Sequence, residues 1–318
     1  MAQVAGQGTV WNLPNYWGEL FTADLIQTPI LQMIGGLSGG GMQTQNFEFP
    51  TSSEYDFAAA AQPAITETAS LTAPTANEAI RTQVKNVTQI FQEAVKVSYA
   101  ALSNAGRLSG INSAGGFNSV EDKLAFQINY NLQKIARDIE HTIINGVYQI
   151  STDSGTANKT RGLLEACDLS GGSVVDASSA ALSTTLFEEL LLEMFNNGAK
   201  FDNCVVWANG YQKQALSALY GYAPESRNVG GVNVNQIETD FGVLGIAQPH
   251  RFMPTDTIMI VEMGVVKPVT QPVPVKGNMF YEELSKTGAS ENGQIFGQFG
   301  LDHGPAFMHG KLESLATS

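Results

Sequence analysis

The stretch VEDKLAFQINYNLQKIARDIEHTIINGV, residues 120–147, decides how the rest of the chain is read. Leu124, Ile128, Leu132, Ile135, Ile139, Ile143 and Val147 follow one another at spacings of four, four, three, four, four and four. That period puts them on one face of an amphipathic helix. Ser119 followed by Asp122 offers a capping-box-like start, and Asn145-Gly146 a stop. At 1.5 Å per residue the helix is a rod of about 40 Å, long enough to act as a spine for one subunit.

Upstream of the rod the period changes from helical to alternating. Gln43 to Phe49 sets Phe47 and Phe49 against Asn46 and Glu48 and stops at Pro50. About Thr82 to Tyr99 sets Phe91, Val95, Val97 and Tyr99 against Gln92, Lys96 and Ser98. Between the two lies Thr51 to Ile80, dominated by Ala, Thr, Ser and Pro. This pattern predicts two long strands joined by a polar tip, a protruding hairpin over residues 44–98. An isolated two-stranded ribbon is marginal in water, so the hairpin is expected to lie on another subunit. Residues 1–43 hold the aromatic anchors Trp11, Tyr16, Trp17 and Phe21, an apolar patch from Pro29 to Ile34 and a glycine-rich run from Gly35 to Gly41. They predict an extended arm rather than a domain.

Downstream, Ser/Gly-rich connections lead into alternating helix and strand patterns. Thr185 and Glu188 suggest a capping box opening a helix that buries Leu186, Leu190, Leu191 and Met194 and ends near Gly198. Asn203 to Ala208 reads as a buried strand, Asn209 as the cap of a helix to Tyr220, and Gly230-Gly231 as part of a loop. Strands are expected near Phe241 to Ala247, Thr257 to Val261, Asn278 to Leu284 and Gln294 to Phe299, the last two after the Pro-rich segment Pro268 to Pro274. The resulting division is an arm (1–43), a hairpin (44–98), a section carrying the spine helix (99–180), an α/β section (181–266) and closing segments (267–318), an α+β fold. No repeat at a fixed period is visible.

The charge inventory of this 318-residue chain is unusual: 17 Lys and Arg, 30 Asp and Glu, 15% charged residues and a net of −13. An ordinary soluble domain carries about 25% charged residues. A surface so poor in charge is tolerable chiefly where other subunits cover it. Residues 1–80 hold Glu19, Asp24, Glu48, Glu54, Asp56, Glu67 and Glu78 and no basic residue, so their ion pairs must come from later in the chain or from a neighbour. The absence of basic runs argues against nucleic-acid recognition and against binding an anionic membrane surface. Thr257 to Val266, the best apolar run, is too short to span a bilayer and is broken by Glu262, and no signal-peptide pattern opens the chain.

Catalytic motifs are weak, and neither a cofactor nor a metal is expected. Gly36-Leu37-Ser38-Gly39-Gly40 spells a nucleophile elbow, but that chemistry needs a strand before the Ser and a helix after it, whereas Ser38 sits among glycines ahead of a strand. Asp302-His303 with His309 could supply metal ligands, yet no metal-site spacing accompanies them, and His141 and His250 add none. Cys167 and Cys204 are expected to be two buried thiols.

The order arm, long hairpin, spine helix, α/β section and returning strands resembles the major capsid protein of tailed double-stranded DNA phages, with the fold named after phage Hong Kong 97. Asn86-Val87-Thr88-Gln89-Ile90-Phe91, Ala136-Arg137-Asp138-Ile139-Glu140 and Arg161-Gly162-Leu163-Leu164 are similar to the branch of phage SU-ten major head proteins. The resemblance implies an N-arm, an E-loop lying over an adjacent subunit, a P-domain and an A-domain whose Gly230-Gly231 loop faces the capsomer centre. It implies pentamers and hexamers forming an icosahedral shell in the virion, assembled in the host cytoplasm around DNA that is contacted weakly. Portal, scaffolding and decoration proteins are the further partners it suggests. Glu54, Asp56, Glu67 and Glu78 are then expected to meet Arg or Lys of a neighbour, with Arg81, Arg107, Lys123, Lys134 and Arg137 as candidates and Trp11 and Trp17 as further contacts. The namesake's isopeptide cross-link starts from an E-loop lysine, and no Lys lies between Thr44 and Val84, so no such weld is expected. The chain reaches Trp11 almost at once, so either scaffolding is expected from a separate protein or the sequence is already the mature form, the first favoured by Met1. The alternatives are an encapsulin-like nanocompartment shell or, from another class, a soluble hydrolase using Ser38 or a His303/His309 metal site.

Overall fold

The computed structural model describes residues 28–36, 41–55, 60–74, 78, 80–103, 123–220, 226–229, 232–286 and 288–317. The anchors Trp11, Tyr16, Trp17 and Phe21 and the Ser119/Asp122 cap lie outside them. In chain order the first elements are α1 (Pro29–Met33), β1 (Met42–Gln43), β2 (Glu48–Tyr55), α2 (Glu67–Ser70), β3 (Arg81–Val87), β4 (Gln89–Ser98) and α3 (Tyr99–Ser103). The spine follows as α4 (Lys123–Asn145), then α5 (Leu163–Cys167), β5 (Ser173–Asp176), α6 (Thr184–Asn196), β6 (Cys204–Ala208) and α7 (Gly210–Tyr220). The remaining strands are β7 (Ser226–Val229), β8 (Val232–Thr239), β9 (Gly242–Ile246), β10 (Ile258–Glu262), β11 (Lys267–Thr270), β12 (Met279–Glu283), β13 (Ser290–Asp302) and β14 (His309–Glu313).

Three sheets result. One is the ribbon β2–β3 alone. A five-stranded sheet is organised by β13, which pairs over ten residues with β4 on one edge and with β12 and β11 on the other; β1 adds in parallel to β11. A seven-stranded mixed sheet runs β5-β14-β10-β6-β9-β8-β7. The spine helix lies between the two larger sheets: Ile135, Ile139, Ile143 and Ile144 share a core with Phe91 and Val95 of β4, Phe299 of β13 and Trp207 and Met259 of the seven-stranded sheet. The opposite face of that sheet packs on Phe187, Leu190, Leu191 and Met194 of α6 in a second core.

Several sequence expectations change here. The stretch read as one returning strand is two: β3 pairs with β2, the chain turns at Thr88, and β4 leaves the hairpin for β13. A period of two survives such a switch of partner, which is why sequence alone shows one strand. Pro50 does not end β2; it sits where the register shifts, one of the places a ladder tolerates a residue without an N–H. The α6 cap is Ser183, whose Oγ accepts from Leu186 N, and Phe187 is buried in that helix while Leu186 is only partly so. The loop around Gly230-Gly231 is flanked by two paired strands, β7 and β8, although residues 230–231 themselves lie outside the described residues. The spine stripe is fully buried only from Ile135 to Ile143; Leu132 and Val147 stay exposed.

The cores also hold unusual groups. Cys167 and Cys204 are buried free thiols, and burial pushes Cys167 up to about 12 and Cys204 upward as well. His303 and His309 are fully buried, and His309 Nε2 lies 2.5 Å from the His303 carbonyl. A neutral imidazole must donate there, which assigns the proton to Nε2. Burial pulls His303 down to about 3 and His309 down to about 4, so both are neutral in the fold. The unfolded chain takes up these two protons from about pH 6.5 downward while the folded chain does not. Their contribution is therefore present above pH 6.5 and lost as pH falls toward 4 and then 3. Denaturant unfolding should show lower stability at about pH 4.5 than at about pH 7, and His303→Phe, which removes a ring with no hydrogen-bond partner, should shrink that difference. An unchanged pH dependence in the variant contradicts the assignment.

Candidate assembly surfaces

The hairpin leaves the body at a built root. Asn86 is fully buried, and its amide nitrogen donates to the carbonyls of Leu301 (2.7 Å) and Arg161 (3.2 Å) while its oxygen accepts from Arg161 N (2.7 Å). Arg161 returns the contact, donating from Nη1 to the Lys85 carbonyl (3.0 Å) with its guanidinium 4.5 Å from the centre of the Tyr148 ring. Phe49 crosses β13 at Gly300, where a Cβ would stand 2.9 Å from the ring, so the absence of a side chain sets how closely the hairpin approaches. Thr88 completes the root by donating from Oγ1 to Gln271 Oε1 (2.7 Å).

Beyond the root, cover disappears. Residues 60–74 are exposed throughout, including Ile65 at 73% and Leu71 at 85%, and Ile80 is 71% exposed on the way back. Among the described residues the short helix α2 makes side-chain hydrogen bonds only within itself, Thr66 Oγ1 accepting from Ala69 N and Ser70 Oγ donating to the Glu67 carbonyl. Single exposed apolar residues are ordinary, but three on one protruding ribbon form a surface awaiting a partner.

The predicted contact residues separate into groups. Trp11, Trp17, Asp56, Arg107, Gly230 and Gly231 lie outside the described residues, as does the side chain of Glu54. Glu67 and Glu78 are exposed, with no ion pair to either among the described residues. Arg81 opens β3 opposite Tyr55. Lys134 is already paired with Glu93 of β4, and Lys123 donates to the Ala101 carbonyl (2.7 Å), so both are engaged within the chain. Arg137 is exposed and has no ion-pair partner among the described residues. Glu48 finds Lys85 across the ribbon at 3.2 Å, a base from later in the same chain. Beside Arg137, a shallow groove between β4 and the spine is lined by Ile90, Gln92, Glu93, Asp138 and His141.

A group that sequence reasoning passed over is Glu140. It is fully buried on the spine, accepting from Ile30 N (2.9 Å) and Leu31 N (2.8 Å) of the arm and lying 2.8 Å from His250 Nε2. Its place was visible as a carboxylate at the position between Ala136 and Ile144 on the apolar face. The four histidines do not converge: His250 meets Glu140, His303 meets His309, and His141 packs on Phe252. Among the described residues no three His, Cys, Asp or Glu side chains come together to hold a metal ion. Ser38 lies outside the described residues, and Gly36 ahead of it follows a helix rather than the strand that a nucleophile elbow requires. Among the described residues no helix is long and apolar enough to cross a membrane.

Asn86 satisfies two backbone carbonyls and a backbone N–H, so Asn86→Ala should cost roughly 2–4 kcal/mol in the unassembled subunit. Denaturant unfolding measures this, and a loss below about 1 kcal/mol would remove the root from its structural role.

A model of the SU10 major capsid protein family matches residues 3–316. No curated protein matches the chain. Among solved structures, that of Mycobacterium phage Patience is similar with a TM-score of 0.61 and 11% identity over 96% of this chain and 89% of that one. The cyanophage A-1(L) capsid gives 0.60 and 10% over 92% and 94%, and the SrpI encapsulin of Synechococcus elongatus PCC 7942 gives 0.56 and 12% over 87% and 86%. At such identities these structures establish the fold, an α+β Hong Kong 97-type shell subunit shared by phage capsids and an encapsulin. The family match separates the two: this chain belongs to the SU10 major capsid protein family and is a structural protein of an icosahedral phage head, located in the virion and self-associating into capsomers.

Proposed function

We propose that the subunit builds the shell by laying the ribbon β2–β3 over an adjacent copy, where the exposed tip gains the cover it lacks alone. The observation that carries this is the full exposure of residues 60–74, with Ile65 and Leu71 among them, on a ribbon that pairs with no third strand among the described residues. In this reading residues 1–43 form the N-arm and the E-loop runs from residue 44 to the turn at Thr88. The spine with the five-stranded sheet is the P-domain, and the seven-stranded sheet, including β5 and β14, is the A-domain. The Gly230-Gly231 loop faces the capsomer centre. Glu54, Asp56, Glu67 and Glu78 then meet bases of the neighbour, with Arg137 and Arg107 the leading candidates, because Lys123 and Lys134 are engaged at home. Trp11 and Trp17 add arm contacts.

The particle encloses double-stranded DNA and assembles in the host cytoplasm with portal, scaffolding and decoration proteins. A net charge of −13 suits a wall that DNA slides past without sticking, and the subunit needs neither cofactor nor catalysis. Each exposed ion pair contributes only about 0–1 kcal/mol, so the effect comes from repetition over the shell.

Negative-stain microscopy of the purified protein should show closed shells, and removal of residues 60–74 should leave folded subunits or small oligomers without shells. Replacing Glu54, Asp56, Glu67 and Glu78 together with Gln should weaken assembly and flatten its salt dependence. Normal shells from both variants would refute the reading. Protein cargo in place of DNA inside native particles would favour a nanocompartment. Denaturing gels of mature particles should show monomers, since Lys85 is paired with Glu48 at the ribbon base and Lys96 lies on β4, outside the ribbon. Ladders of capsomer size would contradict that.

A further inference from the structure

Glu140 has no role in the assembly scheme above, yet it is a carboxylate buried completely within the core. A buried carboxylate is tolerated only when donors replace the water it loses. Its donors come from two separate parts of the chain. On one side are the amides of Ile30 and Leu31, the second and third residues of α1, which have no partner inside that helix. On the other is His250, in the loop after β9. Phe252 N donates to His250 Nδ1 at 3.1 Å, so the ring proton sits on Nε2 and points at Glu140. The carboxylate thus takes three hydrogen bonds, none from its own helix.

The arm side is itself well formed. Ile30 and Leu31 are buried in the main core. The helix closes in a Schellman arrangement, with Gly36 N donating to the Leu31 carbonyl (2.7 Å), Gly35 N to Gln32, and both glycines at positive φ. On the loop side, the His250 ring packs edge-on against Trp207 of β6 and beside Phe252, which in turn meets His141 of the spine.

We propose that Glu140 is a two-sided latch: one carboxylate holds the N-terminal arm and the loop after β9, so that loosening either side weakens the hold on the other. The physical reason is charge compensation. When one set of donors withdraws, the buried charge is left short of partners, and the surroundings open to water to relieve it. Linkage of this kind is reciprocal. Any rearrangement of the seven-stranded sheet that shifts His250 is then felt at the seat of the arm some 220 residues earlier in the sequence, and the reverse.

Hydrogen exchange of the full-length chain tests this at the Ile30 and Leu31 amides. Amides at the start of a five-residue helix ordinarily exchange as fast as free chain, whereas the latch predicts core-like protection in the unmodified protein. Glu140→Gln should speed both amides by at least about tenfold while the β10 amides stay as they are. His250→Phe is the decisive variant, because among the described residues His250 makes no hydrogen bond to the arm; it should still speed both amides by roughly 5- to 150-fold. Unprotected amides in the unmodified chain overturn the proposal. So does a His250→Phe variant with unchanged protection at both positions. If Glu140→Gln fails to fold, these two measurements decide the matter without it.

Discussion

A two-stranded ribbon cannot bury its own faces, and that constraint governs how this subunit is built. Among the described residues β2 and β3 pair only with each other, and their hold on the body lies at the root: Asn86 between Arg161 and Leu301, Phe49 over Gly300, and Thr88 on Gln271. Above the root lie exposed apolar residues, and residues 60–74 hold Glu67 and no base. The same strand that leaves the ribbon at Thr88 becomes β4 and pairs over ten residues with β13, so the protruding part and the body share one continuous length of backbone. Force on the tip is delivered to the sheet against which the spine packs.

The body answers with two cores on the two faces of the seven-stranded sheet. Into the one beside the spine it places Glu140, a buried carboxylate whose removal would leave the Ile30 and Leu31 amides and His250 Nε2 without an acceptor. What the carboxylate provides, and apolar packing does not, is directional dependence on donors from both the arm and the His250 loop. The arm is thereby held through its backbone as well as through Ile30 and Leu31, and a Pro29 start leaves the next two amides free to be captured.

Much of this was legible in the chain before any coordinates. The spine helix, found at Lys123–Asn145 within the stretch 120–147, follows from its period, and the buried strand ending at Ala208 and the Asn209 cap, whose Oδ1 accepts from Gln212 N, from apolar pattern and cap chemistry. The word-level resemblance also has a physical basis. Asn86 and Arg161, from two of the three segments that carried it, meet at the ribbon root, and the third contains Glu140. What stayed hidden depends on long-range pairing. β5 and β14 lie side by side although their paired residues, such as Ser173 and Gly310, are 137 positions apart in the chain, and four residues of parallel pairing leave no local signature. The switch at Thr88 preserves alternation, and the helical period does not tell that Leu132 and Val147 stay exposed while Ile135 to Ile143 are buried. Gly35 and Gly36 read as linker but close a helix, because a Schellman cap and a flexible run use the same residue.

The low charge content of the chain and the bare ribbon express one requirement, that a copy of the subunit be completed by its neighbours. Hydrogen exchange of residues 60–74, compared between dissociated subunits and assembled shells, bears most directly on it. Rapid exchange in the subunit with strong protection in the shell is the predicted result. Equally rapid exchange in both states would mean that the tip faces solvent in the finished particle and that the shell is held together elsewhere.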